Sequence, residues 1–201
     1  MSADASLAIT TPWRAAADVT TMEAMASVSS KAQALRFQAS DESLRPMGRA
    51  TSGVIGMRFA DGDELLDMYV VRDDEDVLVA TEGGYAKRTP ADQYPVKNRG
   101  GMGVVTARIV ETRGRLVGAL MVRPDDEIFA ITSAGGVIRT RAGEVKRSGR
   151  QTMGVRLMNL ASGDSVVGLA RNAESLDAAD DDQPDGDAEP LAESVDGASG
   201  E

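Results

Sequence analysis

Lys97-Asn98-Arg99-Gly100-Gly101-Met102-Gly103-Val104 sets a cation, an amide and a second cation directly before a Gly-Gly-x-Gly turn. Glycine tolerates positive φ and leaves nothing bulky over the peptide N–H groups. Such a knuckle can bring N–H donors and an arginine up to a phosphate. The residues that follow, Val104 to Val110, are β-branched and alternating, which predicts a strand.

Working outward, the Gly-Val step recurs. Gly53-Val54 and Gly154-Val155 lie 50 and 51 residues to either side of Gly103-Val104, and an arginine stands four residues before each glycine: Arg49, Arg99 and Arg150. A second register agrees. Gly83-Gly84-Tyr85-Ala86-Lys87-Arg88-Thr89 returns as Gly135-Gly136-Val137-Ile138-Arg139-Thr140, with a looser copy from Lys31 to Phe37. The third register is apolar: Leu65 to Val71 matches Leu116 to Val122, and Val77 to Thr81 matches Ile128 to Thr132. Three features at one spacing define an internal repeat.

Within a repeat the pattern predicts four short strands, near 54–59, 65–71, 77–81 and 85–89. Asp/Gly-rich turns separate them, and Gly83-Gly84 suits a tight hairpin. Four-strand units at this period are the mark of propeller blades. The expected fold class is all-β: a partial β-pinwheel or β-propeller of roughly three four-stranded blades, with a disordered acidic C-terminal tail. A closed propeller needs at least four blades. Three would leave strand edges bare, so the array is expected to continue elsewhere or to borrow blades from a partner.

The chain divides into 1–21, 22–171 and 172–201. Residues 1–21 match no repeat, and Thr11-Pro12-Trp13 reads as the cap and first turn of a helix. The final segment holds eleven acidic and no basic residues, so the overall charge of -10 hides a body near neutrality. That tail reads as a solubiliser or as an anionic competitor for basic surface. In the body, charge is segregated: residues 61–76 are acidic, whereas 139–156 carry six bases and only Glu144 as an acid. Recurring cations suit a polyanion bound on one rim.

Catalysis has little support. The chain contains no cysteine and no histidine, which removes thiol chemistry, His-based catalysis and the usual zinc sites. No catalytic residue, metal ligand or cofactor is expected. No apolar run reaches the length of a membrane span, so no membrane contact and a cytoplasmic location are expected. Gly101-x-Gly103 precedes a strand rather than a helix, which argues against a nucleotide fingerprint. Contact with duplex DNA through its backbone fits better. The residues expected to meet phosphate are Lys87, Arg88, Lys97, Arg99, Arg139, Arg147 and Arg150, with Gly100, Gly101 and Gly103 forming the knuckle.

The stretches Arg45 to Val54, Gly83 to Thr89 and Gly149 to Leu157 resemble the C-terminal β-pinwheel of the DNA gyrase A family, in an actinobacterial style. The resemblance covers about residues 22–175. It implies a non-catalytic DNA-binding and DNA-wrapping module of a type II topoisomerase that supercoils DNA with ATP. The implied partners are double-stranded DNA, the remaining gyrase A region and the gyrase B subunit. Lys97 to Gly103 is similar to a looser copy of the family's Gln-basic-Arg-Gly-Gly-basic-Gly box, with Lys97, Asn98 and Met102 departing from it. The family's DNA-cleaving tyrosine lies in a part not matched here, so this chain alone is not expected to cleave DNA. Two alternatives stand beside this reading: a topoisomerase IV-like C-terminal domain, which a complete first-blade box would discriminate, and a protein-binding propeller scaffold.

Overall fold

Strands form where β-branched alternation is interrupted by Asp/Gly turns. The computed structural model describes residues 6–9, 24–45, 47 and 51–172. Its strands are β1 (Ser6–Ile9), β2 (Ala24–Ser29), β3 (Gln33–Gln38), β4 (Val54–Arg58), β5 (Leu65–Val71), β6 (Asp76–Thr81), β7 (Tyr85–Pro90), β8 (Val104–Val105), β9 (Leu116–Val122), β10 (Glu127–Thr132), β11 (Val137–Arg141), β12 (Val155–Arg156) and β13 (Val166–Arg171). Among the described residues, helix is limited to 3-10 turns at Ala91–Gln93, Glu111–Arg113 and Ala142–Glu144. The all-β expectation holds, and the four strands expected across 54–89 appear within a residue or so of their places.

Their grouping differs from a consecutive four-strand blade. β4, β5 and the β6–β7 hairpin fall in three different sheets. The first blade has the order β5-β2-β3-β8, the second β9-β6-β7-β12 and the third β13-β10-β11, with antiparallel neighbours throughout. Each hairpin is flanked by a later strand of its own repeat on one side. On the other side of the first two hairpins lies a two-residue strand lent by the next repeat, β8 on β3 and β12 on β7. The strand expected over 104–110 accordingly shrinks to Val104–Val105, because only the lent pair finds a ladder.

Glycine makes the loan possible. Gly103 and Gly154 sit at φ 84 and 74, and a Cβ there would stand 2.5 Å from the Ala34 carbonyl oxygen and 2.6 Å from that of Ala86. Both positions therefore need the left-handed conformation and the close approach that only glycine allows.

Between blades, facing apolar residues interlock. Ala26, Val28 and Ala34 of the first blade meet Val77, Val79, Ala119 and Met121 of the second. Leu78, Ala80, Ala86 and Leu120 of the second meet Ile128, Ala142 and Val145 beside the third. Both faces of β6 are covered, and all six of its residues are buried. Each such Val or Leu contributes about 1.5–3 kcal/mol relative to exposure. The strands β5, β9 and β13 lie against one another as the inner edge, so β8 and β12 form the outer edge.

Two expectations concern the ends. Within residues 1–21 the described part, Ser6–Ile9, is a strand paired with β4 rather than helix; the Ala-rich stretch expected to be helical lies outside the described residues. The acidic tail after Asn172 also lies outside them.

Candidate nucleic-acid interface

The outer edge carries one element twice. After β7 and after β11, a 3-10 turn leads into a connection that runs parallel to the second strand of the preceding blade's hairpin, β3 and β7 respectively, before the lent strand begins. Val96 bridges Arg36 in the first blade, and Arg147 bridges Arg88 in the second. Lys97 N–H donates to the Arg36 carbonyl at 2.8 Å, and Ser148 N–H to the Arg88 carbonyl at 2.8 Å. Lys97 is exposed on the first connection, Lys146 and Arg147 on the second.

Several residues expected to meet phosphate instead hold the repeats together. Lys87 is 1% exposed, and its ammonium donates to the carbonyls of Gly149 (2.8 Å) and Arg150 and to Thr152 Oγ1. Burial, followed by the nearby Arg150 charge, lowers its pKa to about 8. Arg88 is 6% exposed; it pairs with Asp76 at 2.8 Å and donates to the carbonyls of Val145 (2.9 Å) and Gly143 (3.1 Å). In this arrangement neither side chain reaches solvent.

Arg99 and Arg150 are equivalent clamps. Arg99 donates to the Ser43 carbonyl at 2.7 Å and the Ile55 carbonyl at 3.1 Å, and Arg150 to the Val105 carbonyl at 3.0 Å. Ile55 and Val105 are matched positions on successive lent strands, so each arginine grips the lent strand of the preceding repeat. The knuckle glycines turn inward too: Gly100 N–H donates to the Gly56 carbonyl at 2.6 Å, and the Gly101 carbonyl accepts Arg58 N–H at 3.0 Å. Gly103 makes the close approach to Ala34 already described. The loop read as an anion cradle is a joint between repeats, and its N–H donor at Gly100 is occupied.

Lys97, Arg139 and Arg147 remain exposed. Arg139 pairs with Glu127, and Arg147 reaches Asp76 at 3.0 Å from a largely exposed position. Asp76 therefore accepts from both Arg88 and Arg147. The acidic turns are partly engaged in the same way, Asp73 with Arg36 and Asp74 with Arg123.

One cluster was not anticipated. The Arg113 guanidinium lies 3.8 Å from the Tyr85 ring centroid, and Arg156 donates to the Tyr85 hydroxyl at 3.0 Å. The hydrogen bond and charge of Arg156 lower the Tyr85 pKa. Arg113 precedes β9 in the second repeat and Arg156 lies on β12 in the third, so no local pattern announced the cluster. Exposed Arg58 and Arg108, each shortly after a lent strand begins and 50 residues apart, carried a periodic signal that was readable.

Among the described residues no helix is long and apolar enough to cross a membrane.

The DNA gyrase C-terminal domain, beta-propeller family model matches residues 26–72, 75–123 and 126–172. The DNA gyrase A protein of Streptomyces coelicolor is 63% identical over 148 residues, 74% of this chain. That of Mycolicibacterium smegmatis is 60% identical over 153 residues, 76% of this chain. The chain spans only 17% and 18% of these two relatives. A solved DNA gyrase A C-terminal domain superposes with a TM-score of 0.68 at 29% identity, covering 76% of this chain and 52% of that one. A solved DNA topoisomerase IV C-terminal domain gives 0.69 at 22% identity over 75% of this chain and 46% of that one, a likeness of fold.

Proposed function

The chain belongs to the DNA gyrase C-terminal domain family of beta-propellers, and from that premise we propose that it is a non-catalytic module that binds and wraps duplex DNA for DNA gyrase. The observation that carries the reading is the repeated outer connection, which puts Lys97 on one blade and Lys146 and Arg147 on the next at the same edge. Cations repeated by whole blades can follow a curved phosphate backbone without reading bases. Bending the duplex costs elastic energy that these contacts offset. Arg139 extends the set on the third blade. Lys87, Arg88, Arg99 and Arg150 serve it indirectly, by fixing the strands that present the exposed cations.

Strand cleavage and ATP hydrolysis would come from the remaining gyrase A region and the gyrase B subunit, the proposed partners in a cytoplasmic holoenzyme. Identity above 60% to a gyrase A relative favours this assignment over a topoisomerase IV module. The test is a binding titration against duplexes of increasing length at several salt concentrations. Affinity should rise with length, and with about six phosphates neutralised log affinity should fall with log salt at a slope of about -5. Affinity indifferent to both length and salt would sink the DNA reading and leave a protein-binding scaffold.

A further inference from the structure

Two guanidinium groups meet at one aromatic ring with no carboxylate between them. The Arg113 guanidinium lies 3.8 Å from the Tyr85 ring centroid and that of Arg156 lies 5.5 Å from it. Among the described residues neither arginine makes an ion pair. By contrast, Arg88 and Arg147 share Asp76, Arg123 meets Asp74 and Arg171 meets Asp126. Like charges drawn to one ring repel each other, and no ion pair among the described residues offsets that repulsion.

The repeat does not require this cluster. Gln33 and Val105 occupy in the first blade the paired positions that Tyr85 and Arg156 occupy in the second, so the same two-strand joint forms there with a neutral pair. In the second blade the charges are also held in place. Arg113 Nη1 donates to the Met153 carbonyl at 2.9 Å and to the Gly154 carbonyl at 3.3 Å. Arg156 Nη1 donates to Asn159 Oδ1 and its Nη2 to the Tyr85 hydroxyl, both at 3.0 Å. Among the described residues, those bonds leave Nε and Nη2 of Arg113 and Nε of Arg156 as open donors. Arg156 is exposed, and Arg113 and Tyr85 are half-buried. Donors already fixed lose little freedom when a ligand arrives. Exposed Arg108 brings a third cation to the same segment, its backbone N–H donating to the Thr152 carbonyl at 3.1 Å.

We propose that Arg113 and Arg156, positioned by Tyr85, form a binding site for a phosphate group. Planar guanidinium forks match phosphate oxygens, and two of them with open donors surround such an anion from two sides. The site is distinct from the connection that carries Lys146 and Arg147. That connection bridges Arg88, three positions along β7 from Tyr85, or about 10 Å of extended strand. A duplex lying along the outer edge supplies such a group from its backbone, and a free polyphosphate supplies the same chemistry. The anion site stands on this geometry alone, whereas the duplex backbone as its source rests on the DNA-wrapping reading. With that source, the second blade holds the duplex at two levels, and the first blade, with Gln33 and Val105, has no counterpart to this one.

Arg156→Gln, read by two titrations of the full chain, tests it. With inorganic pyrophosphate, the Tyr85 ring resonances of the parent should shift saturably, and those of the variant should respond at least ~5-fold more weakly. With duplex DNA at several salt concentrations, the variant should bind about 8-fold more weakly near ~0.1 M salt, with a salt slope smaller by about 1, the share of one phosphate contact. Arg156→Lys keeps the charge and should keep the slope. Asn159→Asp sets a carboxylate against Arg156 while leaving both arginines in place, and should cause the same losses as Arg156→Gln. Melting temperatures equal to the parent's separate these losses from unfolding. A loss with the duplex, with or without one for pyrophosphate, makes the DNA backbone the source. A loss with pyrophosphate alone makes the source a free polyphosphate, and the site stands. Arg156→Gln and Asn159→Asp that match the parent in both titrations overturn it. A parent indifferent to duplex DNA sinks the wrapping reading instead, and the pyrophosphate titration then decides the site by itself.

Discussion

Glu82 Oε2 accepts the backbone N–H of Arg115 at 2.9 Å, and in doing so reverses an arrangement used by the repeats on either side. In the first repeat Asp63, from the turn before β5, accepts Ser29 Oγ at 2.8 Å, Ser30 Oγ at 3.0 Å and Lys31 N–H at 2.8 Å. In the third, Asp164 accepts Ser133 Oγ at 2.8 Å and Ala134 N–H at 3.0 Å. The second repeat has Glu82 in the serine position and Gly114 in the aspartate position. The carboxylate comes from the hairpin instead of the turn, and it tethers the same two segments.

Gly114 is therefore intolerant of a side chain. Its φ is 72, and a Cβ would stand 2.2 Å from Glu82 Oε2. Gly114→Ala should cost about 1–3 kcal/mol of unfolding free energy by chemical denaturation. Combining it with Glu82→Ala should recover part of that loss, because the clashing carboxylate is gone. Equal stability of Gly114→Ala and the parent would contradict this account of the turn.

Asp63 is buried and accepts from two hydroxyls and two backbone N–H groups, Glu64 N–H included at 3.0 Å. Removing it strands several donors. Asp63→Ala should destabilise by about 2–4 kcal/mol. Asp164→Ala should cost less, since its partners are exposed and water replaces the carboxylate. Thermal melts of both variants, side by side, check the order.

Asp76 ties the second blade's hairpin to the following connection through Arg88 and Arg147. Asp76→Ala leaves the buried Arg88 charge without its carboxylate and should cost about 3–5 kcal/mol. Arg147→Ala removes only the exposed partner and should cost within about 1 kcal/mol. Denaturant midpoints that rank these the other way would show that the pair is not the tether.

Lys87 gives stability a pH dependence. Its pKa is lowered to about 8 by burial and by Arg150, against about 10.4 for an unfolded lysine. Below pH 8 the folded state must hold a buried ammonium, which weakens it. Between about pH 8 and 10 the folded state releases that proton while the unfolded state retains it, so stability rises with pH. Burial raises the pKa of Tyr69, with its hydrogen bond to Asp67 adding, and this opposes the trend only once unfolded tyrosines ionise near about pH 10. Lys87→Met should flatten the rise between pH 8 and 10. A parent curve that falls over that window, or a variant curve parallel to it, would rule out Lys87 as the source.

For DNA, the exposed and buried cations should part company. Lys97→Ala with Arg147→Ala should weaken binding to every duplex alike and reduce the salt slope by about 2. Arg99→Ala should act through stability, lowering the melting temperature along with affinity. Deleting the residues after Ser175, which carry ten acidic residues and no basic ones, should tighten binding at low salt. An unchanged affinity would make that tail a solubiliser.

The amino-acid sequence by itself determined the strands and their period. Alternation at Leu65–Val71, the Gly83-Gly84 hairpin and the glycines at 53, 103 and 154 are local statements, because φ/ψ preferences and side-chain alternation act within a few residues. It did not determine which strands share a sheet. β8 pairs with β3 some seventy residues earlier, and β12 with β7, through backbone groups that every residue carries alike. Nor did it determine the fate of each cation. Lys87 and Arg99 look like exposed phosphate ligands in a linear pattern, and only the folded arrangement brings carbonyls from distant turns within reach of them. A buried charge is tolerated where such acceptors converge, and that convergence belongs to the tertiary structure.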